Sequence, residues 1–295
     1  MSSRTTIGIL SGLGGTAAAA AGGYAYYKRF MVRRSAAADV LTSLLPVHSK
    51  WWRDRFNTEK TLVYVALGDS AAQGIGASKP WHSYVGRNAA RIRKMTHGSL
   101  GVVNLSVSGA TSYLCRLNQV PRLADYPADI VTCAIGANDV RDLVPKKFEK
   151  NIRAIYSALP GHAIVADMPF MVLPDLERKA AVANEIVRRV AAEFGLTVAP
   201  LYATTRRQGY LRTVRNTARD MFHPNDDGYR IWASAFDVAI EARLARIAAD
   251  RAEADPSTQG NVSRLAATVA NRAKDAAVEH STQATDSIPL PTATS

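Results

Sequence analysis

The segment LVYVALGDSAAQGIG, residues 62–76, carries a serine at the end of an apolar run. Residues 62–67 are apolar over the length of a strand, and β-branched Val63 and Val65 are typical of a buried strand in an α/β sheet. Ser70 then stands at the carboxyl edge of that strand, where open α/β sheets bind their ligands. Because a tight turn delivers its hydroxyl to this edge, Ser70 is the candidate nucleophile.

Strand-like and helical patterns alternate after this segment. Further apolar strand-like runs lie at 101–107, 129–135, 163–168 and 196–201. Helical patterns lie between and after them, at 81–94, 112–123, 145–159, 177–194 and 225–248. This order predicts an α/β fold with a parallel sheet that helices cover on both faces.

Composition indicates a folded, basic protein. The 295 residues are 47% hydrophobic and 21% charged, with a formal net charge of +12. No zinc-finger, RNA-recognition or helix-turn-helix pattern accompanies the charge, which argues against nucleic-acid binding and favours proximity to an anionic membrane. Cys115 and Cys133 lack metal-ligand spacing. We expect Cys133 to be a small buried hydrophobe, and a disulfide between the two cysteines stays open.

The amino-terminal region predicts a membrane segment or a signal peptide. Residues 5–27 carry no charge and are long enough to span a bilayer as one helix. Their Ala- and Gly-rich composition equally suits a cleaved signal peptide, which would make the protein secreted or part of the cell envelope. If the segment is an anchor, the four basic residues after it favour a single span with a cytoplasmic catalytic domain.

The chain divides into four predicted regions. They are an anchor or signal segment at 1–34, a linker with one short helix at 35–60, a catalytic domain at 61–250 and a disordered tail at 251–295. In the linker, Trp51 and Trp52 lie beside basic residues, so they rest either on a lipid headgroup surface or in the core.

The sequence DMFHP, residues 220–224, holds the candidate base. Asp220 precedes His223 by three residues, a spacing that lets the carboxylate accept a hydrogen bond from one imidazole nitrogen and fix the tautomer. The other nitrogen is then available to take the proton of Ser70. The alternative is that Asp220 only caps the following helix and His223 is a surface residue.

Three donors at predicted strand edges are candidates for an oxyanion hole. They are the backbone N–H of Ser70, the backbone N–H of Gly109 and the side-chain amide of Asn138. We expect glycine at 109 to let its amide approach an oxygen without interference from a Cβ, whereas the ordinary alternative for each position is a turn.

Two further stretches leave alternatives open. The apolar run 169–173 either lines an acyl pocket or covers the sheet edge. The stretch 203–219 holds five arginines and no acidic residue, which predicts either a solvated basic loop or a clamp for anionic headgroups.

Taken in order, these motifs resemble the SGNH hydrolase superfamily of GDSL-type esterases and lipases, in an actinobacterial-like form with an N-terminal membrane segment. Its four blocks correspond to GDS (68–70), NLSVSG (104–109), GAND (136–139) and DMFHP (220–224). Ala71 replaces the leucine that gives the GDSL group its name. The resemblance implies a flavodoxin-like, three-layer α/β/α sandwich with a mostly parallel five-stranded sheet.

The same resemblance implies a Ser-His-Asp mechanism without metal or cofactor. Ser70 would be the nucleophile, His223 the base and Asp220 its orienting partner, with Ser70, Gly109 and Asn138 as the oxyanion hole. The expected activity is hydrolysis of acyl esters of small molecules or lipids. Acyl transfer to an alcohol at the same site, or a non-catalytic binding module of the same fold, are the alternatives. The membrane is an expected partner, nucleic acid is not, and oligomeric state stays open.

Overall fold

The computed structural model describes residues 28–54 except 30, 31, 34, 38 and 42, and residues 62–98 and 100–254. The membrane or signal segment predicted at 5–27 and the predicted tail beyond residue 254 lie outside these ranges. Of the helices within them, none combines the length and the apolar character that a bilayer crossing requires.

Five parallel strands form one sheet. They are β1 (Leu62–Gly68), β2 (Leu100–Asn104), β3 (Ile130–Ala134), β4 (Ile164–Ala166) and β5 (Thr197–Ala199), in the spatial order β2-β1-β3-β4-β5. All seven residues of β1 are buried, as its unbroken apolar run predicts. Val65 pairs with Val103 of β2 on one side and with Val131 of β3 on the other. The predicted parallel sheet is confirmed.

Helices follow the strands and cover the sheet. They are α1 (Leu45–Arg53), α2 (Ser70–Gln73), α3 (Tyr84–Thr96), α4 (Ser112–Asn118), α5 (Val120–Leu123), α6 (Pro145–Tyr156), α7 (Pro174–Glu193), α8 (Leu201–Arg206), α9 (Gly209–Arg215), α10 (Asp226–Ser234) and α11 (Asp237–Ala254), with 3₁₀ turns at Pro80–His82 and Val140–Asp142.

Alternate side chains of β1 enter two different helix layers. Val65 and Leu67 pack in one cluster with residues of α4, α6 and α7. Tyr64 and Ala66 pack in a second cluster with residues of α1, α3, α10 and α11. This two-residue period is the geometry of a strand with both faces buried. The three-layer α/β/α sandwich is therefore confirmed.

Three helical segments differ from the sequence-based expectation. The helix expected at 112–123 is broken at Gln119 into α4 and α5, because Pro121 in the first turn of α5 has no N–H to continue the ladder. The helix expected at 225–248 is α10 and α11, separated by a short turn at Ala235. The basic stretch 203–219 is not a plain loop, since it contains the last turn of α8 and all of α9.

Trp52 and the two cysteines occupy interior positions, whereas Trp51 is partly exposed. Trp52 of α1 is 5% exposed and donates through Nε1 to the Gln73 carbonyl at 3.2 Å, so this ring packs in the core. Cys115 and Cys133 are buried free thiols without a disulfide. A hydrogen bond with Cys115, together with burial, raises the pKa of the Cys133 thiol well above its ordinary value.

Candidate active site

Ser70 is fixed by the turn that joins β1 to α2. It is 5% exposed and begins the four-residue helix α2, while the side chain of Asp69 caps this helix by accepting from the Ala71 N–H at 3.0 Å. Gly68, before the turn, has φ +158°, and a Cβ there would lie 2.7 Å from the Ala134 carbonyl oxygen. The motif therefore needs glycine at this position for close approach of two strands.

The loop before α10 fixes Asp220 and His223. The Ala218 N–H donates to the His223 carbonyl at 2.7 Å, which closes the loop. The Asp220 Oδ1 accepts from the backbone N–H groups of Phe222 and His223, both at 3.1 Å. Its Oδ2 lies 2.5 Å from His223 Nδ1. The carboxylate thus orients the backbone of the loop as well as the imidazole ring.

The serine and the histidine meet across the carboxyl edge of the sheet. Ser70 Oγ lies 2.9 Å from His223 Nε2 although 153 residues separate the two in sequence. The loop after α2 supports this approach, because a Cβ on Gly76 (φ +95°) would lie 2.4 Å from the Pro224 carbonyl oxygen. Tyr229 of α10 also donates to the Ile75 carbonyl at 2.5 Å. We refer to Ser70, His223 and Asp220 as the Ser70 cluster.

Two buried carboxyl groups near Ser70 have pKa values shifted in opposite directions. Burial alone would raise the pKa of Asp220, but the hydrogen bond from His223 and two backbone N–H groups hold it below its ordinary value. Burial raises the pKa of Asp69 to about 6 against the opposing effect of the Ala71 N–H. Asp220 therefore remains ionised near neutral pH, whereas Asp69 titrates just below it.

The predicted oxyanion donors lie around the same turn. Asn138 Nδ2 donates to the Ala110 carbonyl at 3.0 Å and, through a longer contact of 3.3 Å, to Asp69 Oδ2. Gly109 is exposed and precedes Ala110 directly. A Cβ at 109 would meet no protein atom within 4 Å, and the φ of +74° by itself favours glycine there. That glycine also keeps a Cβ away from a ligand oxygen stays a prediction.

Gln119 holds the backbone in front of the serine turn. Its side chain is fully buried, accepts from the Gly68 N–H at 2.9 Å and donates to the Gly68 carbonyl at 2.8 Å. This pair of bonds closes the edge of the turn as a neighbouring strand would. The sequence offers no local signal for it, because Gln119 lies 51 residues from Gly68 and interrupts a helical pattern.

A second group of serine, histidine and aspartate lies outside this site. Ser78 Oγ and Asp226 Oδ2 each lie 2.9 Å from His82 Nδ1, and Ser78 Oγ also donates to Asp226 Oδ2 at 2.6 Å. Asp226 begins α10, so the group ties the segment before α3 to that helix. We refer to Ser78, His82 and Asp226 as the Ser78 cluster. Sequence reasoning missed it.

An apolar cavity of about 430 Å³ opens beside Ser70 and His223. Its wall includes all of residues 169–173, so this run does line a pocket at the candidate nucleophile. The other large apolar or aromatic lining side chains come from α7, α9, the 221–222 turn and α10, and are Leu176, Tyr210, Val214, Met221, Phe222, Ile231 and Trp232. Such a wall suits an apolar ligand that reaches the serine.

Within the described ranges, no three His, Cys, Asp or Glu side chains cluster so that they could hold a metal ion. A hydroxyl bonded to an imidazole, which is bonded in turn to a buried carboxylate, is the arrangement of a serine nucleophile with its general base.

The fold is that of an α/β/α protein with a Ser-His-Asp hydrogen-bonded chain at the carboxyl edge of its sheet. The profile of the GDSL-like lipase/acylhydrolase family matches residues 66–231, more than half of the chain. The chain therefore belongs to this family, and the expectation of a carboxylic ester hydrolase is confirmed. No curated protein sequence shows a significant match.

Solved structures show the same fold at low sequence identity. An α/β hydrolase from the metagenome of Lake Arreo is 23% identical, with a TM-score of 0.51 over 61% of this chain and 95% of its own. A mutant acetyl-xylooligosaccharide esterase from Geobacillus stearothermophilus is 20% identical, with a TM-score of 0.52 over 63% and 96%. A lipase from a goat rumen metagenome is 17% identical, with a TM-score of 0.51 over 61% and 97%. These matches support neither an actinobacterial origin nor a membrane segment.

Proposed function

We propose that the protein hydrolyses acyl esters through a covalent acyl-enzyme on Ser70. The observation that carries this proposal is the hydrogen-bonded chain from Ser70 Oγ through both nitrogens of His223 to Asp220, at 2.9 and 2.5 Å. This chain faces an apolar cavity at the carboxyl edge of the sheet. Membrane attachment through residues 5–27 stays a prediction.

The reaction proceeds in two steps, acylation of Ser70 and hydrolysis of the acyl-enzyme. His223 Nε2 takes the Ser70 proton while Oγ bonds to the ester carbon, and the imidazolium is stabilised by Asp220. Collapse of the tetrahedral intermediate breaks the bond to the leaving alkoxide, which takes the proton from Nε2. In the second step, His223 takes a proton from a water molecule as that water attacks the acyl carbon. The bond from this carbon to Ser70 Oγ then breaks, Oγ takes the proton from His223, and the carboxylic acid is released.

Charge on the tetrahedral oxygen is stabilised by donors around the turn. The backbone N–H of Ser70 and of Gly109 and the amide of Asn138 are the proposed oxyanion hole. Asn138 stays anchored through the 3.0 Å bond to the Ala110 carbonyl, while its contact to Asp69 is longer at 3.3 Å. The weaker contact is the one that an oxyanion displaces.

The cavity wall supports esters with an acyl chain longer than acetyl. Each methylene that leaves water for this wall contributes up to about 0.8 kcal/mol, a factor of roughly four in kcat/KM. We expect p-nitrophenyl hexanoate to be hydrolysed with a higher kcat/KM than p-nitrophenyl acetate. An equal or lower kcat/KM for the hexanoate ester would mean that the cavity does not bind the acyl chain.

Labelling with a fluorophosphonate tests the nucleophile directly. We expect the wild-type chain to be labelled and to turn over p-nitrophenyl esters, and both signals to disappear in Ser70→Ala. Ser78→Ala is the matched control, because it removes the same hydroxyl from the Ser78 cluster, and it should retain both. Absence of labelling in a folded wild-type chain would favour the non-catalytic binding module instead.

A further inference from the structure

The mouth of the cavity is surrounded by exposed apolar side chains. Leu211 of α9 is 78% exposed, and the others lie between 38% and 59%. We call this set the apolar rim; its members are Leu173, Tyr210, Leu211, Met221 and Phe222. All but Leu211 also line the cavity, so the rim is continuous with the pocket wall. Contiguous exposed apolar surface of this kind marks an interaction site.

Four exposed arginines alternate with the apolar rim along the chain. We call them the rim arginines; they are Arg207, Arg212, Arg215 and Arg219. Within the ranges that the structure describes, none of the four forms an ion pair with a carboxylate. Elsewhere, Arg153 and Arg189 are both paired with Glu149 and Glu193 of α6 and α7. Within the described part of the chain, the four rim arginines therefore carry positive charge that no carboxylate pairs.

Helix α9 presents two different faces. Tyr210, Thr213 and Val214 line the cavity. Leu211 and Arg215 are exposed and lie four residues apart, so they share the outer face of the helix. An exposed leucine beside arginines is the pattern of a segment that rests in a lipid interface, since long basic side chains reach headgroups while apolar ones enter the acyl region.

We propose that the apolar rim and the rim arginines form a docking surface for an anionic lipid bilayer. The positive charge of the rim arginines is complementary to anionic headgroups, and the net charge of +12 acts in the same direction. Exposed leucine, methionine and phenylalanine around the pocket mouth distinguish this surface from one built for a soluble polyanion or nucleic acid, which would not require them.

Docking in this orientation places the cavity mouth against the lipid. An acyl chain could then pass from the bilayer into the pocket without crossing water, because the rim and the pocket wall share four side chains. This consequence rests on the proposed function of Ser70, whereas the docking itself does not. The two are therefore tested with separate measurements.

A single environment-sensitive fluorophore attached to the full chain reports which surface of the protein contacts the vesicle. Both native cysteines are buried, so Leu211→Cys gives one accessible position for an environment-sensitive dye. Ser157→Cys is the matched control, because it is exposed and follows α6, which returns to the opposite edge of the sheet. If residues 5–27 hold the chain on a vesicle, they hold both labelled chains equally, so only the difference between positions reports docking.

We expect a blue shift at position 211 with phosphatidylcholine vesicles that contain one third phosphatidylglycerol. We expect none with pure phosphatidylcholine and none at position 157. Arg212→Gln with Arg215→Gln should weaken the partition measured at 211 by roughly 25-fold, about five-fold for each charge. Lys94→Gln with Arg122→Gln removes two exposed charges elsewhere and should change it less than three-fold.

Docking would be overturned by no shift at 211 with anionic vesicles, by an equal shift at 157, or by an equal shift with pure phosphatidylcholine. Equal weakening by the two charge-removing pairs would do the same, because the effect would then be one of net charge. The docking measurement is repeated in Ser70→Ala, and hydrolysis of a soluble ester is measured in the rim variants. If the catalytic proposal fails, the docking result is therefore unaffected. If docking fails, the catalytic proposal is equally unaffected.

Discussion

The Ser70 cluster and the Ser78 cluster contain the same three types of side chain but connect them differently. In the first, hydroxyl and carboxylate occupy opposite nitrogens of His223. In the second, both approach Nδ1 of His82. A base that passes a proton needs one nitrogen oriented by the carboxylate and the other on the hydroxyl. The residue types alone therefore do not distinguish an arrangement suited to catalysis from a structural tie. The two clusters differ in whether the hydroxyl and the carboxylate bind opposite nitrogens of the histidine or the same one.

Burial separates the two clusters as well. The side chains of His223 and Asp220 are 16% and 2% exposed, whereas those of His82 and Asp226 are 36% and 33% exposed. Electrostatic interactions weaken in the presence of water, so the buried pair affects chemistry more strongly than the exposed one. Matched mutations in the two clusters test whether this contrast is functional.

The largest contrast is expected between the two hydroxyls. Ser70→Ala should lower kcat on a p-nitrophenyl ester by on the order of 10⁶-fold, since loss of the nucleophile removes the covalent route. Ser78→Ala should change kcat less than three-fold. Steady-state kinetics with a thermal unfolding check for both variants provide the measurement. Comparable losses in two folded variants would contradict the distinction between the clusters.

The next contrast is between the two carboxylates. Asp220→Asn should lower kcat by on the order of 10⁴-fold, because the amide no longer fixes the productive tautomer of His223. Asp226→Asn should leave kcat within about three-fold. A kcat for Asp220→Asn within ten-fold of wild type would show that the two backbone N–H groups on Oδ1 hold the loop without help from the charge.

A smaller effect is expected from Asp69, which has no counterpart beside Ser78. Folding raises its pKa to about 6, so the protonated form is favoured in the folded state. The resulting contribution to stability is complete below the ordinary pKa near 4 and is lost as the pH rises through about 6. The wild type should therefore lose up to about 3 kcal/mol relative to Asp69→Asn between pH 4 and 7.

Urea unfolding of both proteins at several pH values in that range measures this difference. The pH slope is the quantity of interest, because the absolute stability of Asp69→Asn also reflects its altered contact with Asn138. Parallel stability curves for the two proteins would mean that Asp69 keeps an ordinary pKa in the folded state.

The smallest effect is expected for the exposed tie. Asp226→Asn should lower the free energy of unfolding by about 1 kcal/mol, because the bonds to Ser78 and His82 lie where water competes for them. A calorimetric Tm a few degrees lower, with kcat preserved, is the expected result. A loss of unfolding free energy above about 3 kcal/mol would indicate that α10 depends on this tie to pack against the segment before α3.

Local sequence patterns predicted most of the fold and the positions of the motifs. Residues 62–67 predicted a buried strand because both of its faces meet apolar layers. Helices α8 and α9 were not predicted, because they lie in a basic stretch with little apolar periodicity, and α9 has no fully buried residue.

The Gln119 contact that supports the serine turn and the Ser78 cluster could not be predicted, because each joins residues that are distant in sequence and no local pattern signals the partner. Gln119 meets Gly68 across 51 positions, and Asp226 meets Ser78 across 148. A glutamine inside a helical pattern or an aspartate at a helix start has many ordinary roles, so neither residue signals its partner. By contrast, Asp220 and His223 lie within one turn, and their contact follows from spacing alone.

The separation of 153 residues between Ser70 and His223 has a consequence for synthesis. A nascent chain that has left the ribosome only through β5 contains the serine turn and every strand of the sheet, but not His223, the proposed base. In the proposed mechanism, ester cleavage begins only after the segment before α10 has emerged and reached the sheet edge. The time at which turnover begins during translation would therefore report when the segment before α10 reaches the sheet edge.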